Sequence, residues 1–124
     1  MKKVLIEQEP IGHYTPGMIS NGNLYISGQT SVDPATGKPA IGGIHAETFM
    51  ALQKMEVVLQ ASGLTKEAVV MCRVYITSAN LWADVNEAYA QFFGSHKPAR
   101  AIIPIKELSH GCLIELEAIA ELKG

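Results

Sequence analysis

Long basic runs, membrane-length apolar stretches and clustered metal ligands are all missing from this sequence, and each absence removes a class of function. Twelve acidic residues stand against ten basic ones for a formal charge of -2, and no run of Lys or Arg goes beyond Lys2-Lys3. Nothing here attracts a polyphosphate backbone, so nucleic acid is not expected as a partner. No stretch approaches the roughly 18 apolar residues of a membrane span. The basic start is followed by Val4-Leu5-Ile6 and then Glu7, too short an apolar run for a secretory segment. The expectation is a cytoplasmic protein with no membrane partner. Cys72 and Cys112 lie in or beside apolar runs without CxxC spacing, which suits reduced, buried thiols. His13, His45, His96 and His110 show no HxxxH, HxH or HExxH spacing, so no metal is expected. GxSxG, GxGxxG and GxxxxGK[ST] are absent too, and with them go the usual signs of acyl-enzyme, hydride and phosphoryl chemistry.

What is present fits one domain over residues 1–124: at 48% hydrophobic the chain can build a real core, and it is too short for two. Asn21-Gly22-Asn23 separates two apolar runs and predicts a hairpin. The segment Asp33 to Pro39 is expected to be a polar loop. From Ile44 to Ser62, Phe49, Leu52, Met55 and Leu59 recur at helical steps, and Gly63 stands where a helix-ending glycine belongs. Val69 to Thr77 predicts a strand, and Asn80 is placed to cap a second helix carrying Trp82, Val85, Tyr89 and Phe92 on one face. Arg100 to Ile105 and Leu113 to Leu122 read as two further strands.

The order β-β-β-α-β-α-β-β argues for an α+β fold with two helices on one face of a mixed sheet. In the last strand Ile114, Leu116 and Ala118 face the helices, and Leu113, Glu115, Glu117 and Ile119 point away. The far face, with Val69, Met71, Tyr75, Leu113 and Ile119, would be an apolar patch that self-association covers.

Two residues stand out for chemistry. Arg100, between the Pro98-Ala99 turn and Ala101-Ile102-Ile103, can grip a carboxylate with two parallel hydrogen bonds, or can be an ordinary arginine lying over apolar neighbours. Glu115 sits mid-strand between Ile114 and Leu116, with Glu117 on its face; together they form either an acid/base pair or a solvated, salt-bridged face.

Five segments taken in order go further: Ile11-Gly12-His13-Tyr14, Ser27-Gly28-Gln29 followed by Asp33-Pro34-Ala35-Thr36-Gly37, Val85-Asn86-Glu87-Ala88-Tyr89, Pro98-Ala99-Arg100, and Ile114-Glu115-Leu116-Glu117-Ala118. Together they resemble the YjgF/RidA family. The resemblance implies a chorismate mutase-like homotrimer around a central β-barrel, with ligand clefts between subunits. It also implies hydrolysis of 2-imino acids such as 2-iminobutyrate and 2-iminopropionate to 2-keto acids and ammonia, without a cofactor. Arg100 would anchor the substrate carboxylate and Glu115 would orient or activate the water. Tyr14, Gly28 and Asn86 would line the cleft, and Ile102 would offer its backbone N–H.

The sequence departs from the family pattern at His13 (commonly Pro), Pro16-Gly17 (commonly Gln-Ala) and Ile102 (often Cys), and its Phe93 to Pro98 connection is short. These changes surround the cleft and bear on the size of ligand it takes. The competing reading is a non-catalytic trimer that binds small carboxylates, as a regulatory protein, in the same cleft. Both need Arg100; they part at Glu115. Ribonuclease or translation-inhibitor activity has also been attached to the family, but this chain lacks the basic patch and stacking platform for it.

Overall fold

A computed structural model describes residues 1–123. The chain reverses tightly at Asn21 and Gly22, both at positive φ (54° and 78°), the pairing that matches the twist of a two-residue hairpin. It joins β2 (Gly17–Ser20) to β3 (Asn23–Thr30), and β1 (Lys2–Val4) pairs along the outer edge of β2. The segment expected to be a polar loop instead closes into a small hairpin of β4 (Val32–Asp33) and β5 (Lys38–Pro39). Asp33 explains this: its Oδ1 accepts from the Ala35 N–H at 2.9 Å, and Thr36 and Gly37 donate to its carbonyl, so the turn is tied from within.

Helix α1 (Ile44–Ala61) follows the expected period, burying Ala51, Leu52, Met55, Val58 and Leu59. It ends as the glycine suggests: Gly63 has φ 74°, its N–H bonds the Gln60 carbonyl, and Leu64 bonds that of Leu59. Strand β6 (Val69–Ile76) leads to α2 (Trp82–Phe93), then β7 (Ala99–Pro104) and β8 (Ile114–Glu121). Asn80 does not cap α2. Ser78, in extended backbone, accepts from the Asn80 N–H, and the chain enters α2 through a 3-10 turn over Ala79–Leu81. Trp82 likewise leaves the buried face, at 46% exposure, while Val85, Tyr89 and Phe92 stay on it.

The main sheet runs β1-β2-β3-β8-β6-β7. The β6–β7 pair is parallel, while β1–β2, β2–β3, β3–β8 and β8–β6 are antiparallel, so the sheet is mixed as expected. Both helices pack on one face. Ile114, Leu116 and Ala118 point into that core with Leu24, Cys72, Val74 and Ile76. Val69 joins them at 1% exposure, contrary to its expected place on the far face. The pairing with β8 is irregular between Val69 and Met71, and the extra residue, Val70, resets the alternation. The far face carries Tyr25, Met71, Tyr75, Leu113 and Ile119 around a polar knot, in which Arg73 meets Glu117 at 3.1 Å and the Tyr75 hydroxyl donates to Glu117 at 2.8 Å. Cys72 and Cys112 are buried, free thiols; burial pushes the Cys72 pKa up to about 12. No helix among the described residues is long and apolar enough to cross a membrane.

Glu47 fastens helix to sheet. Buried in the first turn of α1, its Oε1 accepts from Ser31 Oγ at 2.7 Å and from the Leu113 N–H at 2.9 Å, tying the ends of β3 and β8 together. Glu47→Ala strands both donors in the interior and should cost about 2–4 kcal/mol. Urea unfolding at fixed protein concentration reads this directly; a loss no larger than that of a surface substitution would show that the two donors find other partners.

Candidate functional site

Glu115 lies on β8, on the face away from the helices, and β3 brings a glycine against it. The β3–β8 register passes from Ile26↔Ala118 to Gln29↔Leu116, so Ser27 and Gly28 together oppose Glu117. This extra residue makes a bulge. A Cβ built at Gly28 would lie 2.5 Å from Glu115 Oε2, so only glycine lets the carboxylate occupy that place. The bulge also holds the preceding segment: Ser27 Oγ donates to the Thr15 carbonyl, and the Ser27 N–H to that of Pro16 at 3.0 Å. Tyr14 is thereby tethered beside the bulge, with 52% of its surface open. Burial, and next the charge of Glu117, raise the Glu115 pKa above the usual carboxylate value, while Lys54 opposes the rise.

Arg100 belongs to a second cluster. Its Nη1 donates to Asn86 Oδ1 at 2.8 Å, and its guanidinium carbon stands 4.9 Å from the Tyr89 ring centre and 5.7 Å from that of Trp82. Residues 82, 86 and 89 form one stripe of α2 at steps of four and three, so a single helix presents an amide and two π faces to one cation. The sequence placed Trp82 and Tyr89 together on one face of α2; their shared spacing with Asn86 was the signal that they also flank the Arg100 cation, Tyr89 from within the core. The backbone of β7 adds a donor. Ile105 gives its N–H to the Ile76 carbonyl at 2.8 Å, so by strand alternation Ala101 and Ile103 also face β6, and the N–H of Ile102 points to the open edge. Pro104, which has no N–H, falls on that outward side.

The two clusters do not meet within one chain. Arg100 is level with Cys72 and Ala118, whereas Glu115 is level with Tyr75, three residues further along and two strands across. Strand spacings put their Cα atoms roughly 14 Å apart, and their side chains leave opposite faces of the sheet. Gly28 and Glu115 are brought together, with Tyr14 tethered nearby; Arg100, Asn86 and the Ile102 N–H are brought together; the groups stay separate. Elsewhere, His45, Asp84 and Glu87 place three donor atoms within 4.8 Å of one another where α1 and α2 begin. Short-range motif spacing misses this group because two helices supply it. Its acidic members are exposed, and His45 Nε2 stands 3.9 Å from Asp84 Oδ1 at the surface.

Comparison with known proteins agrees with this architecture. The family described as Endoribonuclease L-PSP matches residues 6–122. A RutC family protein of Pyrococcus horikoshii is 37% identical over 97% of this chain and 98% of its own. The chain belongs to the YjgF/RidA/RutC family. Within that family, the human 2-iminobutanoate/2-iminopropanoate deaminase is 38% identical over 89% of this chain and 80% of its own length. The Escherichia coli protein TdcF, solved with bound serine, superposes with a TM-score of 0.88 at 30% identity, covering 98% of this chain and all of TdcF.

Because the Gly28 contact is with the movable end of a side chain, Gly28→Ala should leave the fold intact and push the Glu115 carboxylate aside. A crystal structure of the variant, with its melting temperature within a few degrees of the parent, is the expected result. An unmoved carboxylate would mean that the bulge backbone yields instead.

Proposed function

We propose that the protein hydrolyses 2-imino acids to 2-keto acids and ammonia in clefts completed between neighbouring subunits of a cytoplasmic homotrimer. The observation that carries this reading is the division of the site. The Arg100–Asn86 cluster and the Glu115–Gly28 cluster lie on opposite faces of one chain's sheet. A second copy that docks the far sheet face of one subunit against the β7 edge of the next would let a small ligand touch both, and would cover Met71, Tyr75 and Ile119. The human relative's name supports imine deamination, and TdcF's bound serine supports a small amino-acid-like ligand.

Each residue then has a part. The Arg100 fork and the Ile102 N–H hold the substrate carboxylate, with Asn86 and the two rings fixing the guanidinium. Gly28 and Tyr14 shape the wall around the reacting carbon. Glu115 accepts a proton from water as the water oxygen bonds to the imine carbon, and passes it to the nitrogen that receives the C=N pair, giving a carbinolamine. Glu115 then takes the carbinolamine hydroxyl proton as C=O forms and C–N breaks, and hands it to the departing nitrogen, so that ammonia leaves and Glu115 is again ionised. A raised pKa suits Glu115 to this work, because its conjugate base is stronger near neutrality. The scheme calls for no metal and no organic cofactor.

Freshly generated 2-iminobutyrate is the test substrate. Arg100→Ala should abolish hydrolysis and weaken 2-ketobutyrate binding, with little rescue by Lys, which lacks the planar fork. Glu115→Gln should slow turnover by about 100-fold or more while keeping keto-acid affinity. Hydrolysis needs ionised Glu115, so its rate should fall as pH drops through a midpoint above 4.5, the carboxylate's ordinary value. If the parent protein binds keto acids through Arg100 without accelerating hydrolysis, the site is a carboxylate binder and the catalytic reading fails. Sedimentation should give a trimer; a stable monomer at micromolar concentration would remove the shared cleft.

A further inference from the structure

The corner where β3 leaves the sheet is held from below by a lysine. Lys54 projects from the half-buried flank of α1, and its Nζ donates to the carbonyls of Thr30 and Val32, each at 3.0 Å. Thr30 is the last residue of β3 and the direct partner of Glu115 across the β3–β8 ladder. Ser31, between the two carbonyls, is fully buried and bonds Glu47, seven residues before Lys54 on the same helix. An uncharged side chain would suffice to fill this flank. An ammonium brought here loses water and receives two fixed carbonyl dipoles in return, an arrangement that fixes backbone geometry and places a cation beneath the sheet.

We propose that Lys54 is a positioning residue for Glu115, clamping the Thr30–Val32 corner that sets the Glu115 rung against the Gly28 bulge and presenting a positive charge to that carboxylate from the helix side. Lys54 also faces Cys112 and Asp33, and Glu115 is neighboured by Glu117 of β8 and Tyr75 of β6. Among these, Lys54 supplies the charge that favours ionised Glu115, against burial and Glu117, which favour the protonated form. The catalytic part of this inference rests on the proposed hydrolysis; the electrostatic part does not.

The experiment follows the Glu115 carboxyl by 13C NMR across pH, assigned by its disappearance in Glu115→Gln, alongside the pH profile of kcat/KM for 2-iminobutyrate. Lys54→Met fills the flank without charge, and Lys54→Gln keeps an amide donor without charge. In either folded variant the Glu115 midpoint and the acid limb of kcat/KM should move to higher pH by roughly half a unit. Lys54→Arg, which keeps charge and donors, should restore both. If Glu115 titrates identically in the parent and in the neutral variants, the proposal is overturned. A parent without hydrolytic activity would sink the proposed function alone, because the NMR titration reads Lys54 without turnover.

Discussion

Strand β8 is hydrogen-bonded on both sides, by β3 and by β6, so its rungs cannot slide without breaking two ladders at once. Everything chemical in the molecule is referred to that fixed strand. Its even residues anchor the core beneath the helices and its odd residues carry Glu115 and Glu117 outward. A one-residue slip would bury two carboxylates and expose Ile114, Leu116 and Ala118 together. Glu47 pins the start of β8 through the Leu113 N–H and the end of β3 through Ser31, so the helix guards the register it packs upon.

Around this scaffold the polar groups are sorted by partner. Glu117 is spoken for by Arg73 and Tyr75, and so functions as a tie between β8 and β6. Glu115, one rung away on the same face, has instead a bare glycine backbone against its carboxylate and a raised pKa. Two glutamates that look alike in sequence are thus given different tasks by what stands opposite them. On the other face, Arg100 is oriented by Asn86 and flanked by two aromatic rings, which fixes the plane of the guanidinium.

Much of this was legible in the sequence because its signals are local. The Asn-Gly hairpin, the period of α1, the helix-ending Gly63 and the alternation of β8 each declare themselves within a few residues. Val69 was misplaced because a bulge is an insertion relative to a partner strand, and the partner is 51 positions away at Ala120. Ser78 took the cap from Asn80 because a 3-10 turn moves the helix entrance back by two residues. Arg100 and Glu115 stood out from their own surroundings, and Tyr14, Gly28, Asn86 and Ile102 through family resemblance, but the division into two clusters on opposite faces follows from strand order and register, which no short motif encodes. Lys54 escaped notice for the same reason: a lysine in an amphipathic helix reads as solvated until the corner above it is seen.

The two outer strands of the sheet carry a further consequence. β1 begins Lys2-Lys3, and β7 ends on Pro104 with its missing donor turned to the open side. An unprotected strand edge invites another chain to add to it, and then another, which is how cross-β fibrils lengthen. Charge on one rim and a proline on the other make each a poor template. The sheet can therefore carry outward amides beside Arg100 without also offering them to the edge of an unfolded neighbour.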